Sequence, residues 1–126
     1  MKRGDWDIMA RVLIVDDAAF TRRMLTDMVG AKHEICGEAC NGLEAIEKYK
    51  LLKPDIVTMD ITMPEMHGID AMEEILDYDG NAKVLICSAL GHRQKVLEAM
   101  KKGARDFVVK PFQKEQILDA ITRILQ

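Results

Sequence analysis

The chain has 126 residues, of which 48% are hydrophobic and 31% are charged, and its formal net charge is −3 at pH 7. This length and composition predict one globular domain with a sizeable hydrophobic core. The acidic balance argues against nucleic acid as a general partner. No apolar run approaches the ~18 residues of a membrane span, and the first residues lack the apolar segment of a signal peptide. We therefore expect a cytoplasmic protein that does not bind membranes.

The first eight residues precede the domain proper. Met9 lies directly before Ala10 and the first apolar run of the chain. We expect residues 1–8 to be a disordered N-terminal extension and residues 9–126 to form the domain.

Five short apolar runs predict strands, and they are RVLIV (11–15), EICGEA (34–39), DIVTM (55–59), KVLIC (83–87) and DFVV (106–109). The runs are rich in Val and Ile and are nearly continuous rather than alternating. This pattern is typical of parallel strands that are covered on both faces. The odd number of cysteines, Cys36, Cys40 and Cys87, indicates reduced thiols in a cytosolic protein rather than disulfides.

The segments after these runs have apolar residues at the 3.6-residue period of amphipathic helices. The five stripes are Phe20, Met24, Leu25 and Met28; Ala45, Ile46 and Tyr49; Ile69, Met72 and Leu76; Val96, Ala99 and Met100; and Ile117, Ile121 and Ile124. Asn41, with Glu44 three residues later, predicts a capped helix start. Gly30 and Gly103 are predicted to lie just past helix ends in the left-handed conformation. Five strands alternating with five helices predict a single doubly wound α/β domain with a parallel sheet.

Polar side chains stand where four of the predicted strands end. They are Asp16 and Asp17, Asp60, Ser88, and Lys110. Because ligand sites in such sheets form at the carboxyl ends of the strands, we expect these side chains to meet at one edge. Taken alone, Asp60 fits a helix cap, a metal ligand or a nucleophile equally well.

The charges of this predicted cluster indicate which ligand it would bind. Two carboxylates about 4 Å apart repel by roughly 4 kcal/mol at an effective dielectric constant near 20. That is a large cost for a domain that is stable by only ~5–15 kcal/mol. Lys110 supplies one compensating charge, and a divalent cation would supply the rest. Oxygen ligands suit Mg²⁺ or Mn²⁺ better than zinc, and such a metal also suits a carboxylate that attacks a phosphoryl group.

Four segments resemble the receiver domains of two-component response regulators, over essentially the whole chain from residue 10 onward. They are VLIVDDAAFTRRML, DIVTMDITMPEMHGID, VLICSALG and GARDFVVKPF. The resemblance implies a flavodoxin-like (βα)5 fold with strand order 2-1-3-4-5. Within this family, the runs CSALG and KPFQ are most similar to the stand-alone chemotaxis regulators, and the chain's end directly after the last predicted helix favours the same class.

The resemblance also implies a role for each residue at the sheet edge. Asp60 would be the phosphoacceptor that receives a phosphoryl group from a histidine kinase. Asp16 and Asp17 would bind Mg²⁺ together with Asp60 and the backbone carbonyl of Thr62, and Mn²⁺ could replace the ion. Ser88 and Lys110 would contact the phosphoryl oxygens, with a cis peptide bond between Lys110 and Pro111.

The resemblance also implies where the output of such a switch lies. In this family an aromatic residue on the fifth strand turns inward on activation, and the matching residue is Phe107. It lacks the hydroxyl of the tyrosine found in several members. A basic output surface for an acidic partner segment is predicted on and near the fourth and fifth helices, at Arg93, Lys95, Lys101, Lys102, Arg105 and Lys114; a plain solvated face is the alternative.

The resemblance implies a monomeric signalling switch rather than an enzyme with an external product. Its partners would be a chemotaxis-type histidine kinase, a flagellar motor switch or adaptor protein, and a chemotaxis phosphatase. Other interpretations remain: a phosphorelay intermediate, a receiver module of a transcriptional regulator, or a receiver that never accepts phosphate. A haloacid-dehalogenase-like phosphatase would carry a second Asp two positions after Asp60, where this chain has Thr62.

Overall fold

The computed structural model describes residues 9–126, in which five strands and five helices alternate. The strands are β1 Arg11–Val15, β2 Glu34–Ala39, β3 Ile56–Asp60, β4 Val84–Ser88 and β5 Asp106–Val109. The helices are α1 Ala19–Gly30, α2 Gly42–Leu52, α3 Gly68–Tyr78, α4 Arg93–Lys101 and α5 Lys114–Leu125. The prediction of a disordered extension concerns residues 1–8 and lies outside the described residues.

The strands form one parallel sheet of order β2-β1-β3-β4-β5. This confirms the doubly wound α/β fold and the strand order that the family resemblance implied. Every residue of β3 and β4 is buried, which explains why, apart from Thr58, their sequences are apolar until the last residue. The register pairs Asp60 with Cys87 and Ser88 with Val109, so neighbouring strands end at the same edge.

The core lies in two layers, one on each face of the sheet. Leu13 and Val15 of β1 belong to the layer under α2, α3 and α4, whereas Val12 and Ile14 belong to the layer under α1 and α5. Successive residues of a strand point to opposite faces, so β1, β3 and β4 contribute to both layers. No helix in the described chain is long and apolar enough to cross a membrane.

The predicted helix boundaries are confirmed at one start and one end. Asn41 caps α2, accepting a hydrogen bond from the backbone N–H of Glu44 at 2.8 Å, and Gly103 follows α4 with a φ of 121°. The prediction for Gly30 is wrong, because it is the last residue of α1 and its φ is not positive. A non-glycine residue, Lys53, instead takes the left-handed conformation with a φ of 49°, directly before Pro54 at the end of α2.

Candidate functional site

Four neighbouring strands bring the predicted site residues to one edge of the sheet. Asp16 directly follows β1, Asp60 ends β3, Ser88 ends β4 and Lys110 directly follows β5. The backbone N–H of Lys110 donates to the carbonyl of Ser88 at 2.7 Å, which joins the ends of β4 and β5. The peptide bond from Lys110 to Pro111 is cis, as the resemblance implied.

Three carboxylates form the centre of this edge. One oxygen from each of Asp16, Asp17 and Asp60 lies within 4.8 Å of the others. Asp16 is fully buried and Asp60 is 5% exposed, while Asp17 lies at the surface. The cluster therefore opens to solvent on the side of Asp17, where a hydrated cation can enter.

Lys110 is the cation of this cluster. Its ammonium Nζ lies 3.2 Å from Asp16 Oδ2 and 3.7 Å from Asp60 Oδ1. Burial lowers the pKa of the Lys110 ammonium, but the Asp60 and Asp16 carboxylates outweigh burial and hold the pKa above its ordinary value. Lys110 thus stays charged, and one positive charge faces three acids.

The Asp60 carboxyl shows the effect of this imbalance. Burial, followed by the charge of Asp16, raises its pKa to about 6, although Lys110 and the backbone N–H of Thr62 act in the opposite direction. Unpaired negative charge in a partly dry pocket is therefore the main electrostatic feature of the site. A donor set of carboxylate oxygens with excess negative charge fits a hard divalent cation such as Mg²⁺. Asp16, Asp17 and Asp60 are the residues that would hold it.

The hydroxyl of Ser88 is hydrogen-bonded to the neighbouring backbone in this structure. Ser88 is 1% exposed, and its Oγ donates a hydrogen bond to the carbonyl of Ala89 at 3.0 Å. Phe107 is 42% exposed, so its ring does not lie in the interior. A groove of about 350 Å³ separates the loop after β4 from β5, and Ser88, Val96 and Phe107 are among its lining residues.

The predicted output residues lie on exposed helix faces. Arg93, Lys95, Lys101 and Lys114 are exposed on α4 and α5, and Arg105 is exposed before β5. Lys102 differs from the others, because its ammonium lies 3.2 Å from Glu73 and 3.1 Å from Glu98. Its charge is shared with two carboxylates, so it is less available to a partner than the charges of Lys95 and Lys101.

Two residues that support the acids were not assigned to the site from the sequence. Arg22 of α1 donates to the backbone carbonyl of Asp16 at 2.8 Å. Gly68 begins α3 so close to β3 that a side-chain Cβ would lie 1.9 Å from the carbonyl oxygen of Asp60. Sequence periodicity carries no signal for either contact, because both involve backbone atoms of a different element.

The fold and the acid cluster define a class of protein. A model of the response regulator receiver domain matches residues 12–122, and the chain belongs to this family. Several of its relatives within the family are chemotaxis regulators. The chain is 61% identical over 115 residues to chemotaxis protein CheY of Thermotoga maritima, covering 90% of this chain and 96% of that protein. It is 53% identical to chemotaxis protein CheY of Bacillus subtilis, covering 91% and 97% respectively.

Solved structures support the same relationship. The structure of the CheX–CheY–BeF3–Mg²⁺ complex from Borrelia burgdorferi contains a chain that is 41% identical to this one, with a TM-score of 0.87. The match covers 92% of this chain and 89% of that chain. The protein is therefore a two-component receiver that is closely related to chemotaxis regulators. This family membership sets aside the haloacid-dehalogenase alternative.

Proposed function

We propose that the protein is a phosphorylation-activated chemotaxis regulator whose phosphoacceptor is Asp60. The observation that carries the proposal is the meeting of Asp16, Asp17 and Asp60 within 4.8 Å, with Lys110 3.7 Å from the Asp60 carboxylate. Asp60 ends a fully buried strand and lies beside the exposed Asp17, which is the side from which a phosphodonor would reach its carboxylate.

The chemistry is a phosphoryl transfer from a phosphohistidine of a kinase. A carboxylate oxygen of Asp60 forms a bond to phosphorus while the phosphorus–nitrogen bond of the donor breaks, and the imidazole leaves with the electron pair and takes up a proton. Mg²⁺, or Mn²⁺ in its place, supplies compensation for the negative charge of the transferring oxygens. Lys110 contributes a second positive charge, and the backbone carbonyl of Thr62 is a proposed further ligand of the ion. The protein catalyses only its own phosphorylation and dephosphorylation.

Phosphorylation changes the charge that the pocket must hold. An acyl phosphate adds about −1.5 to −2 charges and three acceptor oxygens beside Lys110. The Ser88 hydroxyl, which now donates to Ala89, would turn to one of these oxygens. The resulting shift of the loop after β4 changes the groove beside Phe107 and allows its ring to move inward. The family supports this route, and Phe107 would act through packing alone because it has no hydroxyl.

The direct test is phosphorylation by a small phosphodonor with Mg²⁺, read by intact mass and peptide mapping. We expect one phosphoryl group on the peptide containing Asp60, none in Asp60→Asn, and a normal yield in Asp77→Asn, which changes an exposed carboxylate of α3. Absence of an adduct, or an adduct on another residue, would overturn the proposal.

The proposed partners are a chemotaxis-type histidine kinase, a chemotaxis phosphatase, and a flagellar motor switch or adaptor protein that the phosphorylated form binds. The relationship to chemotaxis proteins supports this choice. The proposed output surface is the exposed basic face at Arg93, Lys95, Lys101 and Lys114. Binding of isolated switch or adaptor components with and without phosphorylation separates this function from a phosphorelay, in which neither component binds.

The contribution of the basic face can be measured separately. We expect charge reversal at Lys95 and Lys101 to weaken binding of the phosphorylated protein to its partner, most strongly at low salt. Lys32→Glu changes an exposed lysine after α1 and serves as the matched control. Unchanged affinity after reversal at Lys95 and Lys101 would show that this face is only solvated.

A further inference from the structure

Arg22 connects the predicted metal site to two other elements of the fold. It lies in the first half of α1, and its Nη1 donates to the backbone carbonyl of Asp16 at 2.8 Å. Its Nε donates to Glu38 Oε1 on β2 at 3.1 Å. The Arg22 side chain is only 19% exposed, so these contacts are not those of a loose surface arginine.

The carbonyl that Arg22 holds belongs to the peptide unit between Asp16 and Asp17. The N–H on the other side of Asp16 donates to the carbonyl of Ala39 at 3.1 Å, and Asp16 Oδ1 accepts from the N–H of Ala18 at 2.9 Å. The backbone that leads from β1 into α1 is thus fixed by β2 on one side and by Arg22 on the other.

Asp17 depends on this backbone for its orientation. In contrast to Asp16, which Lys110 and Ala18 hold, the Asp17 carboxylate makes no hydrogen bond or ion pair of its own with residues 9–126. It is exposed, and yet its oxygen lies within 4.8 Å of oxygens of Asp16 and Asp60. The preceding peptide unit, which Arg22 holds, therefore sets the direction in which the Asp17 side chain leaves the backbone.

We propose that Arg22 is a positioning residue for metal binding, which aims the Asp17 carboxylate by holding the Asp16 carbonyl. The inference rests on the proposed function, because it assumes that Asp16, Asp17 and Asp60 bind a divalent cation. Arginine is suited to this task, since its planar guanidinium fixes donors in different directions and can hold the carbonyl and Glu38 together. A lysine ammonium would keep the charge but not this fixed geometry.

Electrostatics and positioning predict opposite effects when Arg22 is removed. Loss of a cation near three carboxylates should tighten Mg²⁺ binding by Coulomb's law. Loss of the clamp should weaken binding, since outer-shell partners of metal ligands contribute roughly 10–100-fold to metal affinity. A weaker Mg²⁺ affinity after removal of Arg22 therefore identifies positioning. Neither the lost charge nor a role in stability alone would weaken Mg²⁺ binding.

The test is a calorimetric titration of the intact protein with Mg²⁺ alone, which measures the Kd. Thermal unfolding in chelator measures the stability of the same variants. We expect Arg22→Met to raise the Kd for Mg²⁺ by about tenfold. Arg22→Lys should rescue little, and Glu38→Gln, which keeps an acceptor for Nε, should have a smaller effect. At saturating Mg²⁺ the phosphorylation rate of Arg22→Met should return close to that of the wild type.

The matched control is Arg123→Met, which removes a similar helix-to-strand ion pair, from Arg123 of α5 to Asp106 at 3.0 Å, outside the acid cluster. Its Kd for Mg²⁺ should equal that of the wild type. An unchanged or lower Kd in Arg22→Met, with or without a lower unfolding temperature, would overturn the inference. If Arg22→Met does not fold, Arg22→Lys and Glu38→Gln decide by the same measurement. Failure of the wild type itself to bind Mg²⁺ would instead refute the proposed function.

Discussion

At the scale of single residues, the negative charge of the Asp60 carboxylate is the least favourable charge in the site. Asp60 is 5% exposed, and within residues 9–126 its one ion-pair partner, Lys110, is shared with Asp16. The rise of its pKa to about 6 means that the folded, metal-free protein holds the charged form less favourably than the unfolded chain does. The charge at Asp60 thus lowers the stability of the metal-free protein, and the proposed phosphoryl and metal chemistry would account for keeping it.

Asp60→Asn should therefore stabilise the metal-free protein. We expect its free energy of unfolding in chelator, at about pH 8, to exceed that of the wild type by about 2 kcal/mol, because one of three crowded charges is removed. Denaturant unfolding measures this difference, and Asp77→Asn on α3 should show no change. A lower stability of Asp60→Asn in chelator would mean that crowding does not dominate at this position.

The raised pKa of Asp60 also predicts how the stability of the metal-free protein changes with pH. A carboxyl whose pKa is about 6 in the folded state and 3.8 in the unfolded state favours the folded state in its protonated form. This contribution is present below the unfolded value and is lost as the pH rises through the folded value. In chelator, the stability difference between wild type and Asp60→Asn should grow from about pH 4 to about pH 7 and then level off. A difference that stays constant over this range would contradict the raised pKa of Asp60.

Whether a contact of a site residue can be predicted from the sequence depends on which group is its partner. Asp16, Asp60 and Lys110 were predictable as neighbours, because each ends a strand and parallel strands end at the same edge. The hydroxyl direction of Ser88 was not predictable, because a local bond to Ala89 competes with the acids. The role of Arg22 was hidden for a similar reason, since its acceptor is a backbone carbonyl that any residue would provide.

At the scale of elements, the start of α3 constrains the backbone beneath Asp60, the proposed phosphoacceptor. The N–H of Gly68 donates to the carbonyl of Ile61 at 2.8 Å, and a Cβ at Gly68 would lie 1.9 Å from the Asp60 carbonyl oxygen. The sequence predicts only a turn here. The contact requires glycine because backbone meets backbone, and neither side can move without displacing β3 or α3.

Gly68→Ala should therefore affect both stability and chemistry. We expect the free energy of unfolding to fall by about 2–4 kcal/mol, as for other overpacked sites with no room to relax. The displaced Asp60 should be phosphorylated about tenfold or more slowly by a small phosphodonor. Gly80→Ala is the control, because a Cβ there meets no atom within 4 Å. If Gly68→Ala matches Gly80→Ala in both measurements, α3 does not constrain the phosphoacceptor.

At the scale of the whole molecule, the core lies on the two faces of the sheet and the site lies at one edge of it. Continuous apolar runs predicted the parallel sheet covered on both faces, and the two core layers agree with them. The strand order was available only through the family resemblance, since hydrophobic periodicity does not specify which strands are neighbours. That order is decisive for function, because it places β1 beside β3 and so brings Asp16 and Asp17 to Asp60.

Because the acids come from separate strands, a cation bound between them should stabilise the whole fold. A ligand that binds only the folded state raises its stability by about 2.7 kcal/mol at a hundredfold excess over its Kd. We expect the unfolding temperature of the wild type to rise with Mg²⁺ concentration, with a weaker rise at about pH 5, where the proton on the Asp60 carboxyl competes with the ion.

The control for this prediction is Asp17→Asn, which removes the exposed carboxylate without disturbing the buried bond between Lys110 and Asp16. Its stability in chelator should be close to that of the wild type, while its response to Mg²⁺ should be much smaller. Sodium chloride at matched ionic strength accounts for screening of surface charges, which acts on both proteins alike. An equal rise in Mg²⁺ and in sodium chloride would show that the three acids repel one another without binding an ion, and the edge of the sheet would then be a charged surface rather than a metal site.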